Sequence, residues 1–211
     1  MTPATPAAVW KEMVAGNQRF IDGTPLHPRQ DVERRAELAI SQTPRAALFG
    51  CSDSRLSAEI IFDLGLGDLF VVRNAGQVIS SSVLGSLEYA VEMFKIPLIL
   101  VLAHDRCGAV EAAVRKDADP ETLFPPHVAD MVSDILPAVV RTREALGVSQ
   151  GQPVDSAEVG IEHLRDTISG LLSQSELIGQ RIADGKLAIV GANYRLTEGR
   201  VISDVIVGDV S

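Results

Sequence analysis

Three uninterrupted runs of apolar residues mark the middle of the chain, at 46–49, 69–72 and 97–103. Short runs of this kind are typical of strands that are buried on both faces of a sheet. Between them, over 58–64 and 83–94, apolar residues recur at helical spacing. Strands that alternate with helices predict a parallel sheet with right-handed crossover connections.

After the third run the pattern becomes helical and then returns to strands. Three further helices are predicted, over 108–115, 128–146 and 156–183. Pro137 is expected to kink the second of them. Two β-rich runs, 186–192 and 200–207, are joined by a turn and indicate a hairpin. We therefore expect an α/β fold whose central four-stranded parallel sheet is extended by an antiparallel edge strand and flanked by helices.

The first 44 residues carry a different pattern from the rest of the chain. A helix with a large apolar face is predicted over Val9–Phe20, and a short charged helix follows over Asp31–Ile40. The polar, proline-bearing segment 24–28 separates the two. We expect residues 1–44 to form an N-terminal helical arm and residues 45–211 to form the α/β domain that it covers.

The charge and hydropathy of the chain limit the classes of molecule that it is expected to bind. The chain has 211 residues, with 19 Lys and Arg against 28 Asp and Glu, and a net charge of −9. This balance, without a long basic run, disfavours nucleic acid and anionic membranes as partners. The sequence shows neither a signal-peptide pattern nor the roughly 18 apolar residues that a membrane span requires. The expected location is the cytoplasm, and the expected substrate is small or neutral.

Candidate chemistry lies where two of the predicted strands end. Cys51-Ser-Asp-Ser-Arg55 follows the first strand, and His104-Asp-Arg-Cys107 follows the third. Carboxyl ends of parallel strands meet at one edge of a sheet, so two thiols and one imidazole converge there. Three such ligands, with no fourth Cys or His in either loop, are typical of a catalytic zinc site that keeps one position open.

These residues allow two other interpretations. Both cysteines could be small buried residues, with His104 a hydrogen-bonded core histidine. A redox pair is disfavoured, because the chain has no C-x-x-C motif and a disulfide would need the two Cα atoms within about 7 Å. The remaining histidines, His27, His127 and His163, are expected to be surface or structural residues.

The two motifs together resemble the signature of the β-class carbonic anhydrases. Further segments resemble that family: Gly16–Phe20, Gly67–Gly76 and Ser86–Val91. The resemblance implies a zinc lyase that reversibly hydrates carbon dioxide to bicarbonate and a proton, with one Zn²⁺ per chain held by Cys51, His104 and Cys107. It also implies a homodimer or homotetramer in which the arm packs on the neighbour and the pocket lies at the subunit interface.

Asp53 and Arg55 are the candidate catalytic pair. Two thiolates and a neutral imidazole cancel the charge of Zn²⁺, so the metal needs help in ionising water. An Asp held by a bidentate Arg can accept a hydrogen bond from the hydroxide and direct its lone pair at the substrate. In one branch of the family that the chain resembles, the corresponding Asp becomes a fourth metal ligand in an inactive state, and the motif of Asp53 is the same in branches with and without this switch. The plainer alternative for both residues is an ordinary ion pair in a loop.

Substrate-binding residues come from the resemblance alone. It implies an apolar wall that is formed by Phe70, Ala75 and Tyr89. It also implies hydrogen-bond donors from Gln42 and from the backbone N–H of Gly108. Gly108 also opens a predicted helix, whose free N–H groups favour an oxyanion. Plain core packing is the alternative for Phe70 and Tyr89, and a solvated loop amide is the alternative for Gln42.

Two rival functions use the same residues. Relatives on the same scaffold hydrolyse carbonyl sulfide or carbon disulfide, and the ligand motifs do not separate these activities. A non-catalytic zinc or redox-sensing protein would have Asp53 permanently in the fourth position. The presence of Arg55 counts against this second alternative, because a purely structural Asp ligand needs no exchangeable partner.

Overall fold

The computed structural model describes residues 4–211 and contains one five-stranded sheet. The strands are β1 (Ala46–Cys51), β2 (Leu69–Asn74), β3 (Leu98–His104), β4 (Ala188–Arg195) and β5 (Arg200–Val207). Their order across the sheet is β2-β1-β3-β4-β5, with the first four parallel and β5 antiparallel to β4. The predicted α/β fold, with its parallel sheet and antiparallel edge strand, is confirmed.

Eight helices accompany the sheet within the described residues. They are α1 (Pro6–Ile21), α2 (Val32–Leu38), α3 (Ala58–Ile61), α4 (Ser81–Met93), α5 (Gly108–Ala118), α6 (Pro126–Leu146), α7 (Ser156–Gln174) and α8 (Glu176–Ala183). No helix in 4–211 is both long enough and apolar enough to cross a bilayer.

The central strands separate two apolar cores. Successive side chains of a strand point to opposite faces, and in β1 Leu48 joins the core under α1, α5 and α6 while Phe49 joins the core under α4, α7 and α8. Every residue of β1 and β3 is buried. The outer strand β2 is only partly covered. The middle of the sheet is therefore a rigid base for residues at its carboxyl edge.

Helix α1 packs against its own chain. Val9 and Met13 are buried in the core, and Asn17 donates from Nδ2 to the carbonyl oxygens of Ile61 and Gly199. A Cβ at Gly16 would lie 1.8 Å from the Phe62 oxygen, so only glycine allows this close approach. Of the large apolar residues of α1, Val14 is the exposed one, at 47%.

The single helix predicted over 156–183 is wrong, because the chain forms α7 and α8 with a break at Ser175. The Ser175 hydroxyl donates to Glu88 Oε1 at 2.6 Å and accepts from the amide of Ile178 at 3.3 Å. Leu171 and Ile178 lie on the same apolar side across this break, so the spacing of apolar residues does not reveal it. Helix α6, in contrast, continues through Pro137.

Candidate metal centre

The structure brings Cys51, His104 and Cys107 together at the carboxyl edge of the sheet. Cys51 ends β1, His104 ends the neighbouring β3, and Cys107 directly precedes α5. The two sulfurs are 4.0 Å apart, and all three ligating atoms lie within 4.8 Å of one another. All three residues are buried.

The donor set fits a tetrahedral zinc ion. Two sulfurs that each lie about 2.3 Å from such an ion are about 3.8 Å apart, close to the separation found here. His104 Nδ1 lies 2.8 Å from the Asp105 carbonyl oxygen, which can only accept, so Nδ1 carries the hydrogen. His104 Nε2 is then a buried lone pair, and it has no hydrogen-bond partner among residues 4–211. A metal ion would satisfy this atom.

Without a metal the two thiols share their protons unequally. A hydrogen bond from Cys107 lowers the pKa of Cys51 to about 4, and the same contact, together with burial, raises the pKa of Cys107. Burial by itself lowers the pKa of His104, but the neighbouring thiol group of Cys51 and its negative charge when ionised outweigh this and raise it. Thiolate is the form of cysteine that binds a metal, so metal binding at these residues would release the remaining protons.

Asp53 and Arg55 form a bidentate ion pair beside these ligands. Asp53 Oδ1 accepts from the backbone N–H and from Nε of Arg55, both at 2.9 Å, and Oδ2 accepts from Nη2 at 2.7 Å. Arg55 Nη2 also donates to the carbonyl oxygen of Arg106 at 3.2 Å, which ties the two loops together. Asp53 Oδ2 lies 4.0 Å from His104 Nε2. The bonds from Arg55 hold the pKa of Asp53 well below its usual range.

The backbone of both Cys51 and Asp53 is held by Arg73, to which the sequence analysis gave no role. Arg73 Nε donates to the Cys51 carbonyl oxygen at 2.9 Å, and Nη2 donates to the Asp53 carbonyl oxygen at 2.7 Å. A charged residue near the carboxyl end of a strand, beside the first ligand loop, was the available signal. Arg73 therefore fixes the loop that carries the ion pair.

The five substrate-pocket candidates are divided between the two ends of the sheet. Ala75 directly follows β2, whose last residue pairs with Cys51, and Gly108 directly follows Cys107. Both are at the metal edge. Phe70 precedes the end of β2 by four residues, about 13 Å of strand, and pairs with Ala47 near the start of β1.

The other two candidates also lie away from the metal edge in the same chain. Gln42 is exposed in the segment that leads into the amino end of β1. Tyr89 is on α4 and forms an aromatic cluster with Phe70 and Phe94, at ring-centroid distances of 6.2 and 5.5 Å. Within one subunit, Gln42, Phe70 and Tyr89 are therefore not brought to the metal ligands.

Comparison with known proteins identifies the family. The family model described as carbonic anhydrase matches residues 46–201. The chain belongs to the β-class carbonic anhydrase family. It is 48% identical over 210 residues to carbonic anhydrase 2 of Mycobacterium tuberculosis and 47% identical to a carbonic anhydrase of Mycolicibacterium smegmatis, covering 100% of this chain and 98% of each relative. As a member of this family, the protein is an enzyme of the carbonic anhydrase type.

Solved structures of carbonic anhydrases share its fold. The β-carbonic anhydrase CcaA aligns with a TM-score of 0.73 at 26% identity and covers 95% of this chain and 100% of its own. One of two tetrameric β-carbonic anhydrases from Sordaria macrospora aligns with a TM-score of 0.72 at 21% identity, over 92% and 96% of the two chains. The second likeness concerns the fold alone.

Proposed function

We propose that this protein catalyses the reversible hydration of carbon dioxide to bicarbonate and a proton, with one zinc ion held by Cys51, His104 and Cys107. The observation that carries the proposal is the clustering of three buried ligand atoms within 4.8 Å, one of them an orphaned imidazole nitrogen. Family membership supports the reaction, and the donor set supports zinc.

When bound, zinc supplies a Lewis acid that lowers the pKa of a water molecule at its open position. The residues around the metal site would orient the reacting water. Asp53 is a carboxylate with both oxygens committed to Arg55, so it can only accept a further hydrogen bond. Oδ2, which lies 4.0 Å from His104 Nε2, would accept this bond from the attacking water and so direct an oxygen lone pair toward the carbon of the substrate.

Arg55 keeps this carboxylate away from the metal. Its two side-chain bonds and the backbone bond hold Asp53 in one orientation, and Arg73 holds the backbone of the same loop. We propose that this paired arrangement is the active one. Asp53 would have to break both side-chain bonds before it could serve as a fourth ligand in an inactive state.

Stabilisation of the product oxygens is assigned to the start of α5. Gly108 is the first residue of this helix, whose early N–H groups lack intrahelical acceptors and whose dipole favours negative charge. A Cβ at Gly108 would meet open space, so the position is accessible to a small molecule. Its backbone N–H would donate to an oxygen of bicarbonate.

The remaining pocket residues favour a homo-oligomer. Gln42, Phe70 and Tyr89 lie too far from the metal ligands of their own chain, so in our proposal they complete the site of a neighbouring subunit. Tyr89 is 51% exposed, and the outer edge of β2 pairs with no other strand in the described part of the chain. The N-terminal arm (residues 1–44) would then contact that neighbour. The Sordaria macrospora β-carbonic anhydrases are described as tetrameric, and a homodimer and a homotetramer both fit this proposal.

The free state of both thiols supports a reducing compartment. Cys51 and Cys107 are the two cysteines of the chain, and neither is in a disulfide. Thiolate ligands must stay reduced in order to bind the metal. We therefore infer that the enzyme works in the cytoplasm.

Stopped-flow hydration of carbon dioxide by protein of known zinc content tests the proposal. Arg55→Ala should keep about one zinc per chain and lose about a hundredfold in turnover, because the carboxylate is no longer oriented. Arg55→Lys should recover only part of the lost turnover, since lysine cannot make a bidentate pair. Arg165→Ala is the matched control, because Arg165 forms the same bidentate pair with Asp204 on the outer surface.

The outcomes separate the parts of the proposal. Full activity in Arg55→Ala would overturn the role of the ion pair. No hydration by the zinc-loaded wild-type protein would overturn the reaction itself, and carbonyl sulfide and carbon disulfide would be the next substrates. A pH profile between about pH 6.5 and 9 brackets the ionisation of a metal-bound water. A smooth rise supports the paired state, and an abrupt loss at the lower end would show that Asp53 caps the metal.

A further inference from the structure

The turn after β2 places a strained backbone against the first metal ligand. Gly76 and the next residue, Gln77, both have positive φ angles, 73° and 41°. For a residue with a side chain this region is sparsely populated, and it persists only where the surroundings hold it. The nearest surroundings are Cys51 on one side and helix α7 on the other.

Gly76 is hydrogen-bonded on both sides. Its N–H donates to Cys51 Sγ at 3.4 Å, and its carbonyl oxygen accepts from His163 Nε2 at 2.7 Å. A Cβ on Gly76 would lie 2.8 Å from the Ala109 Cβ, so the glycine is wedged between the sheet edge and α5. A continuous path of two hydrogen bonds therefore joins α7 to the sulfur.

The chemistry of His163 makes it a fixed donor. A carbonyl oxygen only accepts, so the hydrogen must be on Nε2. Nδ1 is buried and has no partner among residues 4–211, and only 3% of the residue is exposed. Burial lowers the pKa of His163, so the ring is neutral and adds no positive charge near the centre.

The turn has other supports that do not involve the His163 ring. Asn74 holds both ends of it, with Oδ1 accepting from the Val78 N–H at 3.0 Å and Nδ2 donating to the Val78 oxygen at 2.7 Å. Thr167 Oγ1, one helical turn after His163, lies 3.4 Å from the Gln77 oxygen. The hydrogen bond from His163, in contrast, acts on Gly76, whose N–H donates to the Cys51 sulfur.

We propose that His163 is a positioning residue for the metal centre, which sets the orientation of the Gly76 N–H toward the thiolate of Cys51. This inference rests on the metal site proposed above. An N–H donor to a ligating sulfur withdraws negative charge from it and fixes its direction, and outer partners of this kind commonly change metal affinity by about 10- to 100-fold. Neither motif that carries the ligands contains His163.

Substitutions at position 163 test this in protein loaded with cobalt(II), whose thiolate charge-transfer absorption reports on the Cys51 sulfur. His163→Leu fills the space without a donor and should shift this band and speed metal release to a chelator about tenfold. His163→Gln can place an amide N–H near the Nε2 position and should restore both. His163→Asn is too short to reach Gly76 and should behave like leucine.

Thr167→Val is the control for general loosening of the turn. It removes the contacts of the hydroxyl with the carbonyl oxygens of Gln77 and His163 and leaves the His163 ring bonded to Gly76, so it should lower the thermal midpoint without moving the cobalt band. A wild-type band and release rate in His163→Leu would overturn the proposal. An equal shift in Thr167→Val would overturn it too, because the effect would then come from loosening.

Two further measurements cover the remaining outcomes. If His163→Leu does not fold, the difference between the Gln and Asn variants decides the question, and ¹⁵N chemical shifts of the wild-type imidazole must show the hydrogen on Nε2. A hydrogen on Nδ1 would overturn the proposal. Absence of hydration activity in a wild-type protein that binds cobalt normally would instead count against the proposed reaction and leave the His163 comparison intact.

Discussion

One chain carries all of the proposed metal ligands and the catalytic pair at the carboxyl end of the parallel sheet, but only part of a substrate pocket at the amino end. At the carboxyl end, the three ligand residues, Asp53 and Arg55 all lie together, and the supporting arginine and glycine bonds are present. At the amino end, Gln42 is exposed and the aromatic cluster of Phe70, Tyr89 and Phe94 has one half-exposed face. The proposed metal ligands and catalytic pair thus lie within one subunit, whereas we attribute the completion of the substrate pocket to assembly with a neighbouring subunit.

This difference has a physical origin. Residues at the ends of adjacent buried strands are positioned by the backbone pairing itself, which fixes them relative to one another with few degrees of freedom. An aromatic cluster on an edge strand keeps apolar area in water until another surface covers it. We therefore expect substitutions at the carboxyl end of the sheet to change the metal content, and substitutions at the amino end to change assembly.

The largest effect is expected at the carboxyl end. Cys107→Ser replaces a thiolate with a hydroxyl that stays protonated, so zinc content should fall from about one per chain to near zero and hydration should fall to the uncatalysed rate. Ser54→Ala, in the other ligand loop, should change neither. Metal analysis and stopped-flow assays at several protein concentrations check this, and the loss should be the same at each. Zinc retained by Cys107→Ser would contradict the role that we assign to the carboxyl end of the sheet.

An intermediate, concentration-dependent effect is expected at the amino end. Tyr89→Ala removes a ring that we assign to the neighbour's pocket, so turnover should fall about tenfold and zinc content should not change. Sedimentation should show more monomer on dilution, together with a further loss of activity. Leu123→Ala, at a side chain that is 90% exposed, is the control. A monomeric wild-type protein with full activity would contradict the assignment.

The smallest effect is expected from acid on the contact that holds the N-terminal arm. Asp63 is buried, and it accepts from the backbone N–H groups of Leu26 and His27 and from Arg19. Although burial by itself raises its pKa, these bonds outweigh it and hold the pKa below the usual value.

The sign of this pH dependence follows from the lowered pKa. The stabilisation is fully present above the unfolded pKa of about 3.9 and is lost as pH falls through the native value. The protection of the Leu26 and His27 amides against hydrogen exchange, measured relative to the intrinsic rate at each pH, should therefore fall in acid before that of the sheet strands. Asp63→Asn should show lower protection of these amides at neutral pH and little further change in acid. Equal acid sensitivity in the variant would contradict this role.

Specific elements show how far the pattern of the sequence reaches. The strands and the 104–107 loop follow from apolar runs and their ends, because burial on both faces demands continuous apolar residues. The break at Ser175 does not follow, because Leu171 and Ile178 keep one apolar side across it and the stop depends on a contact with Glu88 on another helix. Long-range contacts of this kind leave no local pattern.

The same division holds in the metal centre. Cys51, His104, Cys107 and the Asp53–Arg55 spacing could be identified from the sequence because each motif is local and directly follows a strand. Arg73 and His163 could not, since their partners are backbone atoms, and any residue type supplies a carbonyl oxygen. The sequence by itself determined the fold class and the ligand types. Only the tertiary structure decided which donors hold the ligand loops, because backbone hydrogen bonds depend on chain position and not on side-chain identity.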